Sequence, residues 1–181
     1  MNYGRLVSVC DGAATDLAGE IVAALSAASM VFKEDKEYSG KLVQAAESLY
    51  EVVTKEDPKK QGTYTAVDAC GKQARMLYNS TSYKDELAWG ATWLFLATKN
   101  TDYLVNATQF FLSAKKDETN LDKGVFYWNN KLNAVAVTLI RYSAKFLDGF
   151  EKSGCSYNVF NVKFAGFAYW YSILPRSRLS I

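Results

Sequence analysis

The chain has 181 residues, of which 49% are hydrophobic, 14% aromatic and 22% charged, a composition typical of one globular domain with a sizeable core. The formal net charge is +2, so no basic field favours binding to nucleic acid. There is no histidine, which excludes a Ser–His or Cys–His nucleophile and a histidine-ligated zinc site from this chain.

The first predicted helix spans about residues 16–32, with Asp16 at the position expected for its cap. Its opposite face is made of Ala, Ser and Gly, which allows another helix to approach closely. The larger apolar residues repeat at the 3.6-residue helical period and share one face: Leu17, Ile21, Leu25, Ala28 and Phe32. We expect this helix to be buried on most of its sides.

A second helix is predicted over about residues 38–54, because the apolar stripe resumes there and Pro58 and Gly62 prevent its continuation. The connection between these two helices is only about five residues long, which favours an antiparallel hairpin. Residues 59–83 show little periodicity and are interpreted as a long loop. A third helix follows over about residues 84–98. It is apolar on nearly every face, so we expect its Trp89 and Trp93 to pack in the core.

Two further helices are predicted, over about residues 102–115 and 129–147, separated by a polar loop at 116–127. No convincing strand alternation appears, so the predicted fold class is all-α. Long loops and short turns alternate along the chain. In a ring of helical hairpins, all long loops then emerge at one end. The segments SYKDE (82–86) and FYWNNK (126–131) are therefore expected side by side, at the end where loops carry function.

Cysteines and sequons give weaker signals. Cys10, Cys70 and Cys155 allow one disulfide with one free thiol, or three reduced thiols, and their spacing does not decide between these states. Asn79 and Asn106 stand in N-x-[ST] glycosylation sequons, although each sequon can arise by chance. The first residues lack the apolar region of a signal peptide, and no stretch is predicted to span a membrane.

Three ordered blocks resemble glycoside hydrolase family 9. These are DLAGEIVAALSAASMVFKEDKEYSGKLVQAAESLY from residue 16, YNSTSYKDELAWGATWLFLATKNTDYL from residue 78, and VFYWNNKLNAVAVTLIR from residue 125. The resemblance is greatest to the plant endo-1,4-β-glucanases, in particular the membrane-anchored type called KORRIGAN. It implies a partial (α/α)6 barrel of helical hairpins over residues 1–153. Residues 154–181 do not look family-like and are treated as a divergent tail.

The resemblance also implies where the catalytic carboxyl groups are. The family's base lies in a DAGD-like motif upstream of these blocks and its acid lies downstream, and neither motif is recognisable in this sequence. An inverting glycosidase needs two carboxyl groups on opposite sides of the scissile bond. Asp85 and Glu86 are adjacent and do not meet this requirement, so no catalytic residue is assigned and the chain alone is expected to be inactive.

A structural calcium ion is a second implication of the resemblance. Matched residue by residue, its ligand positions are Thr81, Ser82, Asp85, Glu86 and Asn129. Carboxylate and carbonyl oxygens suit calcium, but Asn129 replaces an acid of the family pattern, which removes one negative charge and should weaken binding. The alternative interpretation is that Ser82, Asp85 and Glu86 only cap the helix and favour its dipole.

Aromatic residues near these motifs are the candidates for substrate contact. The resemblance implies that Tyr83 and Trp128 stack on the glucose rings of a β-1,4-glucan, while core packing is the alternative for both residues. Lys131 is interpreted as a surface or ion-pairing residue.

The leading hypothesis is a fragment of a cellulase that hydrolyses internal β-1,4 bonds in cellulose or related glucans. By resemblance, the parent protein is expected in the secretory pathway, either extracellular or membrane-anchored. Two alternatives stay open at this point: a non-catalytic glucan-binding or interaction protein, and a non-functional truncated gene product.

Overall fold

The computed structural model describes residues 13–55, 57–58 and 60–150, and all regular structure within these ranges is helical. The prediction of an all-α fold is confirmed. Cys10, Cys155 and the predicted tail at 154–181 lie outside the described residues. In chain order the helices are α1 (Thr15–Val31), α2 (Lys36–Lys55), a 3₁₀ turn (Tyr64–Ala66), α3 (Asp68–Arg75), α4 (Lys84–Thr98), α5 (Thr101–Asp117) and α6 (Leu132–Phe150).

The helices pair as two hairpins. Asp35 begins α2 by accepting a hydrogen bond from the N–H of Tyr38, and the Ser39 hydroxyl donates to the carbonyl of Ser29 on α1. The turn between α4 and α5 contains Lys99 with a φ of 63°, and the Asn100 side chain caps α5 by accepting from the N–H of Asp102. Both short connections predicted from the sequence are confirmed.

Helix α4 lies at the centre of the bundle and packs against α1, α2, α5 and α6. Its sequence is apolar all round, as a helix surrounded by neighbours requires. Trp89 and Trp93 are partly buried against the same core, in agreement with the sequence prediction. The core side chains that α4 supplies are Leu87, Ala88, Ala91, Leu94, Phe95 and Leu96.

Helix α1 turns its small face, and not its large apolar face, toward α4. The expected close approach of another helix to the small face is confirmed, but burial on most sides is not. Leu17, Ile21 and Phe32 are exposed, while the buried residues include Ala18, Gly19, Val22, Ala23 and Ser26. Close approach explains this choice. A Cβ atom placed on Gly19 would lie 2.6 Å from the carbonyl oxygen of Glu86, which shows that the two backbones are in direct contact.

The segment predicted as a loop at 59–83 contains the 3₁₀ turn and α3, so that prediction is wrong in part. Arg75 holds the two together by donating to the Thr65 carbonyl and to Asp68, the latter over 2.7 Å. Gly71 of α3 packs directly on the backbone of Tyr64 and Thr65. These tertiary contacts stabilise a helix of eight residues that is too short and too polar to be recognised by its periodicity.

The N-terminal ends of α1, α4 and α6 meet at one end of the bundle. Gly19 contacts Glu86 and Val22 contacts Gly90, so α1 and α4 run parallel. Lys131, which directly precedes α6, donates its backbone N–H to Asp85 in the first turn of α4. We call this end the rim. It comprises the first turns of α1, α4 and α6 and the loops that lead into them.

Candidate functional site

The two predicted motifs meet at the rim. The N–H of Thr81 donates to Oδ1 of Asn129 over 2.9 Å, and Nδ2 of Asn129 donates back to the Thr81 hydroxyl over 2.7 Å. The backbone N–H of Lys131 donates to Oδ2 of Asp85 over 3.0 Å. The expectation that SYKDE and FYWNNK lie side by side at the long-loop end is confirmed.

Asp85 and Glu86 form a buried pair of carboxyl groups, with exposed fractions of 3% and 1%. Burial raises the pKa of Glu86, and the neighbouring Asp85, which lies within hydrogen-bonding distance, raises it further. Oε2 of Glu86 has no hydrogen-bond partner within the described part of the chain. Two buried carboxyl groups in contact require either a shared proton or a cation, because their mutual repulsion is poorly screened there.

Lys131 is the cation that faces this pair from the loop before α6. It is 7% exposed and lies close enough to Glu86 to lower the pKa of that carboxyl group. Its ammonium group contacts Oε1 of Glu20 on α1 over 2.6 Å and also donates to the carbonyl of Trp128. The prediction of an ion-pairing residue is confirmed, but Lys131 is buried and connects α1 to the loop of Trp128.

Asp16 is a third buried carboxyl group at the rim, and it does not cap α1 as predicted. Helix α1 begins one residue earlier, and Oδ1 of Asp16 accepts the N–H of Tyr64 over 3.0 Å. Burial raises the pKa of Asp16, and hydrogen bonds from Tyr64 and other groups oppose the shift. Asp16 therefore ties the start of α1 to the 3₁₀ turn.

The residues present fit a calcium ion in part. Thr81, Ser82, Asp85 and Asn129 line one small cavity of about 30 Å³ beside the rim. These side chains offer oxygen donors. Oε2 of Glu86 is an orphaned buried acceptor of the kind that a hard cation satisfies, but Glu86 is not among the residues that line the cavity. Within the described ranges, no three Cys, Asp or Glu side chains converge as a metal-binding group.

The capping alternative receives support for one residue. The Ser82 hydroxyl oxygen accepts the N–H of Lys84 at the start of α4 over 3.2 Å, as a capping residue does. Asp85 instead accepts the backbone N–H of Lys131, a residue of the neighbouring loop. Both carboxyl groups lie in the first turn of α4, near the positive end of the helix dipole.

Trp128 is the most prominent aromatic ring of the site. It is 45% exposed, and one face lies against Tyr78, with ring centroids 4.3 Å apart and an interplanar angle of 36°. Tyr83, the other predicted contact, is partly buried against the hydrophobic core and directly precedes α4. The structure therefore leaves Trp128 as the more accessible of the two rings.

Three members of this site were not predicted as such from the sequence: Tyr78, Glu20 and Asp16. Tyr78 and Asp16 lie within quoted family-like blocks, yet nothing in their local pattern distinguishes them from a loop tyrosine and a helix cap. Glu20 carries one usable signal. It is an acid in the second turn of a helix that packs through small residues, so it is expected to pair with a cation of a neighbouring element. Here that cation is Lys131.

The two sequons differ in their surroundings. Asn79 is exposed in the loop before α4, next to Tyr78. Asn106 is half-buried within α5, and the hydroxyl of its Thr108 is buried and donates to the Leu104 carbonyl. Asn79 is therefore the more accessible acceptor in the folded chain.

Among the described residues, no helix combines the length and the apolar character that crossing a membrane requires.

Comparisons with known proteins agree with this geometry. The sequence matches glycosyl hydrolase family 9 over residues 1–173. This match runs past residue 153, where the predicted family-like region ends, and that boundary stays a prediction. The chain is 38% identical over 143 residues to Endoglucanase 21 of Arabidopsis thaliana, and 41% identical over 144 residues to Endoglucanase 10 of Oryza sativa subsp. japonica. Each alignment covers 78% of this chain and 22% of the relative.

Solved structures show the same helical arrangement. The endoglucanase of the termite Nasutitermes takasagoensis superposes with a TM-score of 0.60 at 34% identity, over 71% of this chain and 28% of that one. The cellulase Cel9M of C. cellulolyticum superposes with a TM-score of 0.58 at 25% identity, over 91% of this chain and 33% of that one. The helices thus form part of an (α/α)6 barrel, and the chain belongs to glycosyl hydrolase family 9.

Proposed function

We propose that this chain is part of an endo-1,4-β-glucanase and supplies one wall of the cleft that holds a β-1,4-glucan. The observation that carries the proposal is the rim itself. SYKDE and FYWNNK meet there, and between them they present the half-exposed ring of Trp128. A flat indole face suits the apolar face of a glucose ring. Because the chain spans 22% of the curated relatives, the activity belongs to a longer protein.

The parent reaction is hydrolysis of internal β-1,4-glucosidic bonds with inversion, in cellulose or a related glucan. That reaction needs two carboxyl groups separated by room for the sugar and a water molecule. Asp85 and Glu86 touch each other and are buried, so their role is structural. We therefore expect the 181-residue chain to bind glucan without releasing reducing ends.

We also propose that the rim binds a structural calcium ion through Asp85 and Glu86, with Thr81, Ser82 and Asn129 as the remaining oxygen donors. When bound, the ion supplies positive charge that compensates the two buried carboxylates and holds the α4 start against the loop before α6. The support is the orphaned Oε2 of Glu86 and the small cavity lined by oxygen donors. An amide at position 129 predicts an affinity weaker than a third carboxylate would give.

A secretory-pathway location, extracellular or membrane-anchored, completes the proposal. It is supported by the likeness to plant endoglucanases and by the exposed sequon at Asn79. Within that pathway we propose Asn79 as the better glycan acceptor and Asn106 as the poorer one, because Asn106 lies within a packed helix.

Binding of the 181-residue chain to a soluble β-1,4-glucan tests the central proposal. Affinity electrophoresis in hydroxyethylcellulose should show retardation of the chain. Trp128→Ala should raise the Kd about tenfold, since a ring stacked on an aromatic side chain contributes on the order of 1–3 kcal/mol. Tyr38→Ala is the matched control. Tyr38 is 46% exposed against 45% for Trp128, and it also contacts another ring, but it lies at the opposite end of the α1–α2 hairpin.

The outcomes separate the hypotheses. Retardation that depends on Trp128 but not on Tyr38, without reducing-end release from carboxymethylcellulose, is the expected result. Equal losses in both variants, or no retardation at all, would contradict glucan contact at Trp128. Release of reducing ends by the purified chain would contradict the assignment of catalysis to residues of the longer protein.

A further inference from the structure

Three aromatic rings form a column at the rim. Tyr64 and Tyr78 lie 6.3 Å apart between ring centroids with planes inclined by 30°, and Tyr78 and Trp128 lie 4.3 Å apart with planes inclined by 36°. Trp128 ends the column. Tyr78 therefore covers one face of the indole, and the column does not cover the other.

The middle ring of the column belongs to Tyr78. Tyr78 is half-buried, and burial together with the charges of Glu86, Asp16 and Glu20 raises its pKa to about 12. The phenol is thus neutral at any pH near 7 and lies beside the acidic groups of the rim. Partial burial and contact with the ring of Tyr64 restrict the motion of Tyr78, so its ring provides a surface on which the indole packs.

The backbone of Trp128 is held from a second direction. The Lys131 ammonium group donates to the Trp128 carbonyl and pairs with Oε1 of Glu20 on α1 over 2.6 Å. Lys131 is itself fixed, because its backbone N–H donates to the buried Asp85. The carbonyl of a loop residue is thereby tied to two helices of the barrel.

We propose that Tyr78 and Lys131 are positioning residues that hold the Trp128 ring ready for a glucose unit, an inference that rests on the proposed glucan contact of Trp128. Tyr78 fixes the plane of the ring and Lys131 fixes its backbone. An indole on an unsupported loop would lose rotamer freedom on binding, and that loss weakens affinity. With both contacts in place, the ring is ordered before the sugar arrives.

The test compares variants that break each contact with variants that keep it. Tyr78→Leu removes the stacked ring and Tyr78→Phe retains it. Lys131→Met removes the donor to the Trp128 carbonyl, whereas Lys41→Met removes an exposed lysine near the start of α2 that pairs with Glu37, away from the rim. Titration of each 181-residue variant with a soluble β-1,4-linked glucose hexasaccharide, at one fixed calcium concentration, gives the Kd values.

We expect Tyr78→Leu to raise Kd by about two- to tenfold, which corresponds to the loss of one aromatic pair. Lys131→Met should raise Kd by about three- to tenfold, which corresponds to the net effect of one ordinary hydrogen bond. Tyr78→Phe and Lys41→Met should stay within about twofold of the original chain. Trp128 contributes one part of the near-ultraviolet circular dichroism, namely the part that is lost in Trp128→Ala. This contribution should weaken in Tyr78→Leu and persist in Tyr78→Phe.

A loss of stability alone is tested with Leu104→Ala. Leu104 is buried in the first turn of α5, at the end of α4 opposite the rim, so this variant is destabilised without touching Trp128. If Leu104→Ala, at equal loss of thermal midpoint, weakens glucan binding as much as Tyr78→Leu does, the positioning role is refuted. If Trp128→Ala weakens binding while Tyr78→Leu and Lys131→Met do not, the inference fails and the proposed function stands. If Trp128→Ala has no effect, the proposed function fails as well.

Discussion

Substituting Gly19 by Ala tests the contact on which the barrel packing depends. The added Cβ would lie 2.6 Å from the carbonyl oxygen of Glu86, 2.7 Å from its carbonyl carbon and 2.8 Å from its Cβ. Two of these atoms are backbone, so no side-chain rotation relieves the clash. Helices α1 and α4 would have to separate by about 0.8 Å to bring the nearest contact to the 3.4 Å of ordinary van der Waals distance.

Two opposing terms set the magnitude. Alanine favours a helix interior over glycine by about 1 kcal/mol. Inserting a methyl group into a filled contact costs about 1–3 kcal/mol, and we take the upper end because backbone is the obstacle. The expected net loss for Gly19→Ala is about 2 kcal/mol of unfolding free energy, or about 4–8 °C in thermal midpoint for a chain of this size.

Gly40→Ala is the matched control within the same chain. Gly40 lies in the interior of α2 and is exposed, and a Cβ added there would meet no atom within 4 Å, so only the propensity term applies. This variant should gain up to about 1 kcal/mol. Urea unfolding followed by tryptophan fluorescence measures both changes. Shifts of the same sign in the two variants would refute the close-contact reasoning.

The remaining predictions concern charge at the rim. The thermal midpoint should be higher in calcium than in a chelator, and Asn129→Asp should enlarge this difference, since tenfold tighter binding adds about 1.4 kcal/mol of stability. Glu86→Gln should abolish the difference. Equal differences in the original chain and both variants would contradict the proposed site. Asp16 has a pKa raised by burial above 3.8, so the folded state keeps this proton when the unfolded chain has released it. Its contribution to stability is full below about pH 4 and is lost as pH rises through the folded pKa. Asp16→Asn keeps an oxygen acceptor for the Tyr64 N–H and removes the titration. Its stability relative to the original chain should therefore grow from about pH 4 toward neutral pH in urea unfolding, and parallel profiles would exclude this origin.

Helix periodicity and loop length were sufficient to predict the frame of the molecule. The short connections near Lys33 and Asn100 predict helical hairpins from their length alone, independently of how the side chains pack. From the alternation of long and short connections it follows that SYKDE and FYWNNK share one end. The hydrogen bonds between Thr81 and Asn129 show that the loops beside these two segments are in direct contact.

The exposure of the large apolar face of α1 could not be predicted in this way, because a single helix does not reveal which of its faces its neighbours cover. Periodicity identifies Leu17 and Ile21 as the apolar stripe, and burial of large side chains is the usual outcome. Here α4 offers Gly90 opposite Gly19, and a Cβ on Gly90 would lie 3.0 Å from the Gly19 carbonyl. Small residues that face each other on two helices favour contact between the backbones. This contact can be inferred only when both helices are considered together.

The acid pair shows a similar limit. Adjacent carboxylates at a helix start are usually explained by capping and the helix dipole. Their burial follows from Gly19, which brings α1 over Glu86, and from Lys131, whose N–H and ammonium group reach the rim from a third helix. Each cause lies more than forty residues away along the chain, beyond the reach of a local pattern.

The reciprocal amide–hydroxyl pair of Thr81 and Asn129 joins the two long loops without using any formal charge. Neither group gains or loses a proton in acid, and the two hydrogen bonds join the loops directly, in addition to any contact of these oxygens with the proposed calcium ion. These two hydrogen bonds should therefore persist at a pH low enough to protonate a free aspartate side chain. A junction made only of carboxylates and a metal ion would dissociate under the same conditions.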